Sequence, residues 1–466
     1  MEPQNIRFGG GLSETLLHPA VAVALVIVIL LMFLLPRKYV IAPFLLTVLL
    51  FPLGQVLVVG GVHFTYLRIV TLFGLGRWAT AGHSWKKGSF PGGFNSIDIT
   101  FALWALSFAL AFSLLYMETQ ALINRVGFLL DALGGYFLLR CLVRDTEDVR
   151  RVIKLFVVIS AVVAIAMINE QLTKQNIFGL LGGIRSVPEI RSGEVRSQGV
   201  FQHSLLAGSV GATLLPLFVW LWNDRKARIG ASVGIISSTV MVVASSCSTP
   251  VLSYAAAVFA LCFWPLRKWM RTFRWGILLT LVGLHLVMKA PVWALISRVD
   301  LTGSSSSYQR FLLVDNFFRH IGDWWLLGTK NYNNWGWDMW DLSNQFVLFG
   351  LRGGLATVVF FIAMISRSFG RLGRASKRVE GDRKQEWFLW CLGAALFAHV
   401  VAYFGVGYDE QVQIEWFTLL AIISAVTFEA MRPAVVQVDA VADRYVASVP
   451  RPIGVRLFNL TNRVNK

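Results

Sequence analysis

Charged residues are scarce in this sequence. Asp, Glu, Lys and Arg make up only 15% of its 466 residues, whereas hydrophobic residues make up 56% and the mean hydropathy is +0.61. An ordinary soluble domain carries about 25% charged residues. The shortage excludes a soluble globular protein and indicates a chain that lies in lipid over much of its length.

Several chemical motifs are missing as well. The sequence has no GxxxxGKS or GxxxxGKT phosphate loop, no HExxH, no paired CxxC and no glycine-rich dinucleotide fingerprint. It also lacks an Asp-x-Asp pair of the kind that often binds a metal-bridged diphosphate. ATP-driven and hydride-transfer chemistry therefore find no support, and we expect no cofactor and no metal ion.

Cysteine is rare too. Cys141, Cys247, Cys262 and Cys391 each fall within or at the end of an apolar run. This placement excludes a disulfide framework and predicts four small core residues.

Long apolar runs dominate instead. A helix that crosses a bilayer needs about 20 mostly apolar residues, and such runs recur at 21–35, 39–59, 97–116, 126–139, 152–167, 203–221, 231–244, 251–265, 275–288, 345–365, 387–404 and 412–428. A shorter run at 66–76 is either a further span or a half-inserted segment. We interpret the first run as a retained helix, because neither a basic segment before it nor a small-residue cleavage site after it marks a secretory signal. The predicted fold is an all-α, polytopic membrane bundle of about 12–13 transmembrane helices with a large outward-facing loop.

The basic residues are placed unevenly. They produce a net charge of +17, yet they gather in every second connection, for example at Arg37 and Lys38, at Arg150 and Arg151, and within 367–384. Basic residues in every second connection are typical of cytoplasmic loops. They account for the net positive charge, so no nucleic-acid partner is expected. We expect a multi-pass protein of the cell inner membrane with, for thirteen spans, an outer N-terminus and a cytoplasmic tail.

Two of the outward connections are much longer than the others. The chain is therefore divided into N-terminal transmembrane helices (1–168), an outward loop (169–202), central transmembrane helices (203–289), a large outward, periplasmic loop (290–344), C-terminal transmembrane helices (345–430) and a basic cytoplasmic tail (431–466). Lipid cannot satisfy irregular backbone, so these loops lie at the aqueous surface or line a protein cavity. Function is expected to concentrate there.

The first candidate site opens the helix after the shorter outward loop. Residues 196–207 read RSQGVFQHSLLA, and Arg191 lies just upstream. An arginine and a glycine at a helix entry offer guanidinium and backbone N–H donors to a phosphate. Arg191, Arg196 and His203 are thus candidate diphosphate-binding residues. The alternative is that Arg196 and His203 are interfacial or snorkelling residues.

The second candidate site lies in the larger outward loop. Arg310 follows a run of serines, and Asp341 and Asn344 stand just before the next span. A cation and several acceptors beside a membrane suit a phosphorylated amphiphile that carries sugar. Arg310, Asp341 and Asn344 are therefore candidate catalytic residues, and Arg310 is also a candidate diphosphate ligand. Two alternatives stay open, namely that Arg310 pairs with Asp315 and that Asp341 caps the following helix.

The larger loop is also rich in tryptophan. Trp325, Trp335, Trp337 and Trp340 stand among polar residues, and they predict a surface on which the C–H faces of sugar rings stack. The alternative is an interfacial belt, because tryptophan prefers the headgroup layer.

Three patterns together resemble the O-antigen ligase, O-antigen polymerase and protein O-oligosaccharyltransferase superfamily. They are the segment 196–207, the segment 310–318 with LLG at 326–328, and Asn344 leading into LFGLRGG at 348–354. The resemblance implies an all-helical fold with a large periplasmic loop. It also implies attack by an acceptor hydroxyl on the anomeric carbon of an undecaprenyl-diphosphate-linked glycan, with Arg196 and Arg310 at the family's arginine positions.

The sequence departs from that family at one position. The family typically has His-Asn where this chain has Ser343-Asn344, and serine is a poor base near neutral pH. The histidine's role is then lost, moved to Asp341, His320 or His203, or unnecessary because the leaving group is good. The implied activity is a metal-independent glycan ligase or polymerase of surface polysaccharide, lipopolysaccharide included. Its partners are the lipid-linked glycan, a lipid or glycan acceptor, and membrane lipids.

Two other functions stay open. A non-catalytic carrier or flippase of lipid-linked sugar is expected to have polar residues within its spans and broken helices near the midplane, whereas the polar residues of this sequence gather in the outward loops. The remaining alternative is a structural subunit of a polysaccharide export complex.

Overall fold

The chain forms a helical bundle. The computed structural model describes residues 15–82, 90–191, 193–288, 291–298, 306–336 and 339–431. The α-helices of this part are α1 (Pro19–Leu34), α2 (Arg37–Leu50), α3 (Tyr66–Thr80), α4 (Ser96–Tyr116), α5 (Thr119–Leu129), α6 (Gly135–Leu142), α7 (Thr146–Thr173), α8 (Ser204–Leu221), α9 (Arg228–Ala244), α10 (Ser248–Cys262), α11 (Met270–Val287), α12 (Ser306–Arg319), α13 (Ile321–Trp324), α14 (Gln345–Arg378), α15 (Arg383–Tyr403) and α16 (Glu410–Ala430). The prediction of an all-α polytopic bundle is confirmed.

Many of these helices have the length and composition of membrane spans. In the described residues, eight helical segments are long and apolar enough to cross a membrane: α4, α7, α8, α14, α15, α16, the continuous segment Thr119–Leu142, and Arg225–Ala244, which contains α9. Shorter apolar helices are Pro19–Leu34, Ser248–Cys262 and Trp275–Val287. The chain is therefore a multi-pass membrane protein.

The second apolar run of the sequence is shorter as a helix than its composition predicts. Residues 39–59 were expected to form one span, but α2 ends at Leu50, Pro52 follows, and Gly54 has a φ of 97°. The valine-rich remainder forms strand β1 (Val56–Val59), which pairs in antiparallel fashion with β2 (Val62–Thr65). Proline and a left-handed glycine stop the helix, and β-branched residues then favour the strand.

The shorter run at 66–76 is helical. It forms α3, whose Tyr66, Leu67 and Val70 are buried against α1, α2 and the neighbouring helices. α5 and α6 pack beside it as one segment, joined by a π-helical turn, Leu130–Gly134. α3 thus belongs to the bundle, although with 15 residues it is shorter than a typical span.

Hydrogen bonds sort the connections between helices into two sets. On one side Arg37 reaches the carbonyl of Leu142, Arg150 pairs with Asp224, and Arg267 pairs with Glu386. This side, the basic face, comprises residues 35–36, 143–145, 222–227, 263–269 and 379–382. The opposite side, the loop face, comprises residues 51–65, 117–118, 174–203, 245–247, 288–344 and 404–409, in so far as they are described. There Ser197 bonds to Ala244 and Asn344 to Phe404. Successive helices therefore alternate in direction across the bundle.

The longest helix is broken near its start. Within α14, Gly354 has φ 70° and ψ −179°, which interrupts the helical backbone. The chain after Trp324 fits against this break: the Leu355 N–H donates to the Trp325 carbonyl and the Thr329 N–H donates to the Leu351 carbonyl, both at 2.8 Å. The LLG and LFGLRGG patterns of the sequence are thus brought together through their backbones.

The cysteines follow the prediction with one exception. Cys141, Cys247 and Cys391 are buried and unpaired, as expected. Cys262, at the end of α10, is exposed, so its assignment to the core was wrong. The expected basic tail lies outside the described residues apart from Met431.

Candidate functional site on the loop face

A small hairpin presents the first set of charged side chains. Strand β3 (Glu189–Arg191) pairs with β4 (Glu194–Arg196), so that Glu189 faces Arg196 and Arg191 faces Glu194. The Arg196 guanidinium lies 3.8 Å from the Glu189 carboxylate and is mostly buried. Residues 189 and 191 share one side of the strand because side chains alternate. One surface of the hairpin therefore carries two facing pairs of opposite charge.

The glycine after this hairpin binds a carboxylate of the protein. Buried Glu170, near the end of α7, accepts the backbone N–H of Gln198 at 3.1 Å and that of Gly199 at 2.9 Å. Gly199 has a φ of 58°, which turns the two N–H groups toward a single anion. The expectation that these backbone donors bind a phosphate was wrong, because Glu170 occupies them. An acidic residue at the end of an apolar helix was the signal in the sequence.

Further hydrogen bonds attach the hairpin to the bundle. Gln171 Nε2 donates to the carbonyls of Val195 and Ala244, both at 2.8 Å, and the Ser197 N–H donates to Ala244 at 3.0 Å. Ala244 ends α9, and residues 245–247 connect it to α10. β4 is consequently held against this short connection.

Two of the three arginines chosen from the sequence act electrostatically on the same cysteine. Burial raises the pKa of the Cys247 thiol, which also lies 3.3 Å from the Ser204 hydroxyl. The positive charges of Arg196 and Arg310 lower this pKa, and Glu189 raises it. Arg196 of the connection 174–203 and Arg310 of α12 are therefore both within electrostatic range of Cys247 on the loop face.

His203 connects the two loops a second time. Partial removal from water lowers the pKa of the imidazole, although its surface is still in contact with solvent, and Arg185 lowers it further. Glu189 and Asp341 act in the opposite direction. Asp341 of the larger loop is thus within electrostatic range of His203.

Arg191 takes a more distant position. It lies at the turn end of the hairpin, opposite Glu194, whereas Arg196 lies at the end that joins the bundle. The electrostatic interactions that link the connections 174–203 and 288–344 involve Arg196, His203 and Cys247.

Asp315 has other partners than the one considered from the sequence. Its carboxylate accepts the Nε–H of Arg319 at 2.6 Å and the indole N–H of Trp293 at 3.0 Å. Residues four apart lie on one side of a helix, whereas positions 310 and 315 differ by about 140°. The geometry of α12 therefore favours the Arg319–Asp315 pair.

Asn344 has a structural position. Its side-chain oxygen caps α14 by accepting the N–H groups of Phe346 (3.0 Å) and Val347 (3.1 Å), and its amide donates to the Phe404 carbonyl at 3.3 Å. The cap is therefore Asn344, and the suggestion that Asp341 caps this helix was wrong. These contacts orient the chain at the start of α14.

The tryptophans do not behave as one group. Trp324 is buried, stacks on Phe317 with ring centres 3.9 Å apart and donates to the Phe317 carbonyl, so it is a core residue. Trp335 stacks on His320 at 4.4 Å, which covers one face of its ring. His320 is thereby part of this aromatic pair.

Two other tryptophans remain accessible. Trp325 and Trp340 expose 51% and 71% of their surface, which leaves ring area for contact with a ligand or with headgroups. Trp337 lies outside the described residues, and the same holds for Asp338 beside it.

The loop face thus joins two arginines to a histidine and a carboxylate. Guanidinium groups bind phosphate and stabilise a departing anion. An imidazole with a lowered pKa is neutral near pH 7 and accepts a proton, and a neighbouring carboxylate stabilises the imidazolium that forms. The arrangement suits displacement of a phosphorylated leaving group by a hydroxyl.

Comparison with known proteins adds no assignment: no protein-family model matches the chain, and no curated protein is similar to it. The resemblance to the O-antigen ligase superfamily stays a prediction from the three sequence patterns.

Proposed function

We propose that the protein is a membrane glycosyltransferase of the O-antigen ligase or polymerase type. It transfers a glycan from an undecaprenyl-diphosphate-linked donor to an acceptor hydroxyl on the outer face of the cell inner membrane. The observation that carries the proposal is electrostatic: Arg196 and Arg310 both act on Cys247, and Asp341 acts on His203, so the connections 174–203 and 288–344 share one region of the loop face.

The distribution of charge supports this orientation. Arg37, Arg150 and Arg267 lie on the basic face, which by the positive-inside rule faces the cytoplasm. The loop face is then the outer one. A donor that is anchored in the membrane by its polyprenyl chain reaches this face from the bilayer, so no soluble nucleotide-sugar domain is needed.

The arginines act on the leaving group. When the acceptor oxygen forms its bond to the anomeric carbon, the bond from that carbon to the phosphate oxygen breaks and negative charge grows on the diphosphate. Arg196 and Arg310 stabilise this charge, and the loss of one such donor costs on the order of a hundredfold in rate. Glu189, 3.8 Å from Arg196, holds that guanidinium in position before the donor arrives.

His203 is the base among the three residues considered for the missing family histidine. The acceptor hydroxyl transfers its proton to the imidazole as the new glycosidic bond forms, and Asp341 stabilises the resulting imidazolium. His320 is stacked on Trp335, and its Nδ1 lies 3.0 Å from the Asn316 carbonyl. The proposal therefore assigns proton transfer to the His203–Asp341 pair.

A transfer assay with purified protein tests this function. The protein in detergent receives an undecaprenyl-diphosphate-linked glycan and a lipid acceptor fraction, and release of undecaprenyl diphosphate is measured with formation of the glycan product. Arg310→Ala is expected to lower the rate about a hundredfold or more. The matched control is Arg319→Gln, which removes a charge from the same helix at an exposed side chain. Ser343→Ala serves as a second control and is expected to keep activity. Wild-type transfer by Arg310→Ala refutes the site.

Movement of lipid-linked sugar is the second candidate function. It is favoured by polar side chains paired inside the spans, such as Asp98 with Arg140 at 2.9 Å and His399 with Glu415 at 3.4 Å, and by the break of α14 at Gly354. A carrier needs two membrane compartments, whereas an enzyme acts in detergent micelles. Product formation in detergent therefore supports the transferase, and movement of donor across vesicles without any product supports the carrier.

A further inference from the structure

A second group of basic residues lies on the loop face, around an arginine within an apolar helix. Arg125 stands in α5, six residues after its start at Thr119. Its guanidinium carbon is 3.9 Å from the ring centre of Phe112, 4.9 Å from that of Phe108 and 5.4 Å from that of Phe128. The three rings hold the cation by cation–π contact and keep water away from it.

The hydrogen bonds of Arg125 are incomplete. Nε and one terminal nitrogen donate to the Asn124 side-chain oxygen at 3.0 and 2.6 Å. The other terminal nitrogen is buried and, among the residues that the structure describes, has no hydrogen-bond acceptor. A charged donor without an acceptor is costly, so the geometry calls for an oxygen ligand at this nitrogen.

Charges of both signs surround Arg125. Arg125 is within electrostatic range of Arg68, Arg352 and Glu410. Arg68 pairs with Asp131 at 2.9 Å and also lies 3.9 Å from Glu410. Arg352 repels Arg125, whereas Glu410 attracts it. An added anion between the two arginines removes this repulsion.

A third cation stands at the same place. The Lys330 ammonium lies over the Tyr116 ring, 4.8 Å from its centre, and Tyr116 interacts electrostatically with Arg125. Lys330 and Arg352 are both exposed, which leaves access from outside.

Apolar side chains adjoin this basic group. Leu110 of α4 and Leu122 and Val126 of α5 each expose more than half of their surface, at 62%, 54% and 58%. Exposed apolar side chains on a membrane-spanning helix face the lipid. An anion recognised here therefore carries a hydrocarbon chain beside its charge.

We propose that Arg125, Arg352 and Lys330 bind the phosphate group of an anionic membrane lipid from the leaflet on the loop face. The phosphate oxygens accept the free N–H of Arg125 and face Arg352 and Lys330, while the acyl chains lie along Leu122 and Val126. The site shares no residue with the Arg196–Arg310 group, and it does not depend on glycan transfer.

Native mass spectrometry of the purified full-length protein tests the proposal. Detergent first removes the bound lipids from the protein. The protein is then titrated with phosphatidylglycerol and, as the reference, with zwitterionic phosphatidylcholine. Wild type is expected to retain phosphatidylglycerol preferentially. Arg125→Gln and Arg352→Gln are each expected to weaken this binding by about tenfold or more, the worth of one charge-assisted hydrogen bond. Lys174→Gln, at an exposed residue of the same face, is the matched control.

The remaining outcomes decide against the proposal. Unchanged phosphatidylglycerol affinity in both variants refutes the site. If inorganic pyrophosphate, which has no acyl chain, binds as tightly and displaces the lipid, the site is one for a soluble anion. Arg352 is exposed, so Arg352→Gln is expected to fold even if Arg125→Gln does not, and its melting temperature in detergent verifies this.

Discussion

Substitution of Gly354 by alanine tests the break in α14. Gly354 combines φ 70° with ψ −179°, a conformation that is essentially restricted to glycine and costs other residues about 1–3 kcal/mol. A Cβ atom at this position would lie 2.8 Å from the carbonyl carbon of Leu326 and closer still to its oxygen. Because the obstacle is backbone, it does not yield as a flexible side chain would.

The expected cost is the sum of strain and overlap. Overpacking of a tight site adds about 1–3 kcal/mol, so Gly354→Ala is expected to destabilise the protein by roughly 2–6 kcal/mol. Movement of the chain away from α14 would relieve the overlap, but it would break the Leu355–Trp325 and Thr329–Leu351 hydrogen bonds. Either response lowers stability.

Thermal denaturation in detergent, followed by size-exclusion chromatography, measures the effect. Gly354→Ala is expected to lower the melting temperature by about 3 °C or more, since each kcal/mol shifts large domains by about 2 °C or somewhat less. Gly370→Ala is the control, because Gly370 lies in the same helix with open space around its Cβ position. It is expected to be neutral or stabilising by about 0.5–1 kcal/mol. Equal melting temperatures for wild type and Gly354→Ala would refute the constraint.

Four further predictions follow from the loop face and its surroundings. Transfer is expected to fall as the pH decreases through the lowered pKa of His203, below about 6.5, and a rate profile without this acidic limb contradicts proton transfer to His203. Asp341→Asn is expected to impair transfer and, because a negative neighbour is lost, to move the acidic limb to lower pH; a limb displaced upward contradicts the contact. The pKa of Asp409 is raised to about 7, chiefly by burial. The folded state therefore keeps a proton that the unfolded state releases near pH 4, and the free energy of unfolding decreases as the pH rises from about 4 to about 7. Asp409→Asn keeps the helix cap and is expected to raise the melting temperature more at pH 8 than at pH 5. Finally, a membrane-impermeant maleimide applied from outside is expected to label Asn333→Cys in intact cells and to label Cys262 only after permeabilisation, and the reverse pattern would invert the orientation.

Composition and periodicity were sufficient to predict the helical bundle, since runs of apolar residues have few alternatives in a membrane. They failed at residues 39–59, where hydropathy alone counted Val56–Val59 as helix. The sequence does contain the correcting signal, because Pro52 and Gly54 separate the helix from the valines. Hydropathy measures transfer into lipid and contains no information about the backbone conformation that these two residues impose.

The candidate site was predictable in part. A diphosphate site was expected at Arg196 and Arg310 from their charge and from the family-like patterns, and both arginines do act electrostatically on one cysteine. Glu170 was not foreseen, because it bonds to N–H groups 28 and 29 residues away and only the folded chain brings them together. The role of Asn344 likewise depended on the observed start of α14, since both Asp341 and Asn344 are suitable capping residues by type.

The carboxylate of Glu170 acts as a ligand that the protein supplies to itself. Its bonds to Gln198 and Gly199 shape the loop before any substrate is present. A donor that binds beside this segment meets a surface already in its working form, so little conformational entropy is lost on association and the competent state need not be selected from a minor population. Glu170→Gln would keep the size of the side chain but replace the anion by a neutral amide, and the loop would then have to be ordered at the moment of binding, at the expense of affinity.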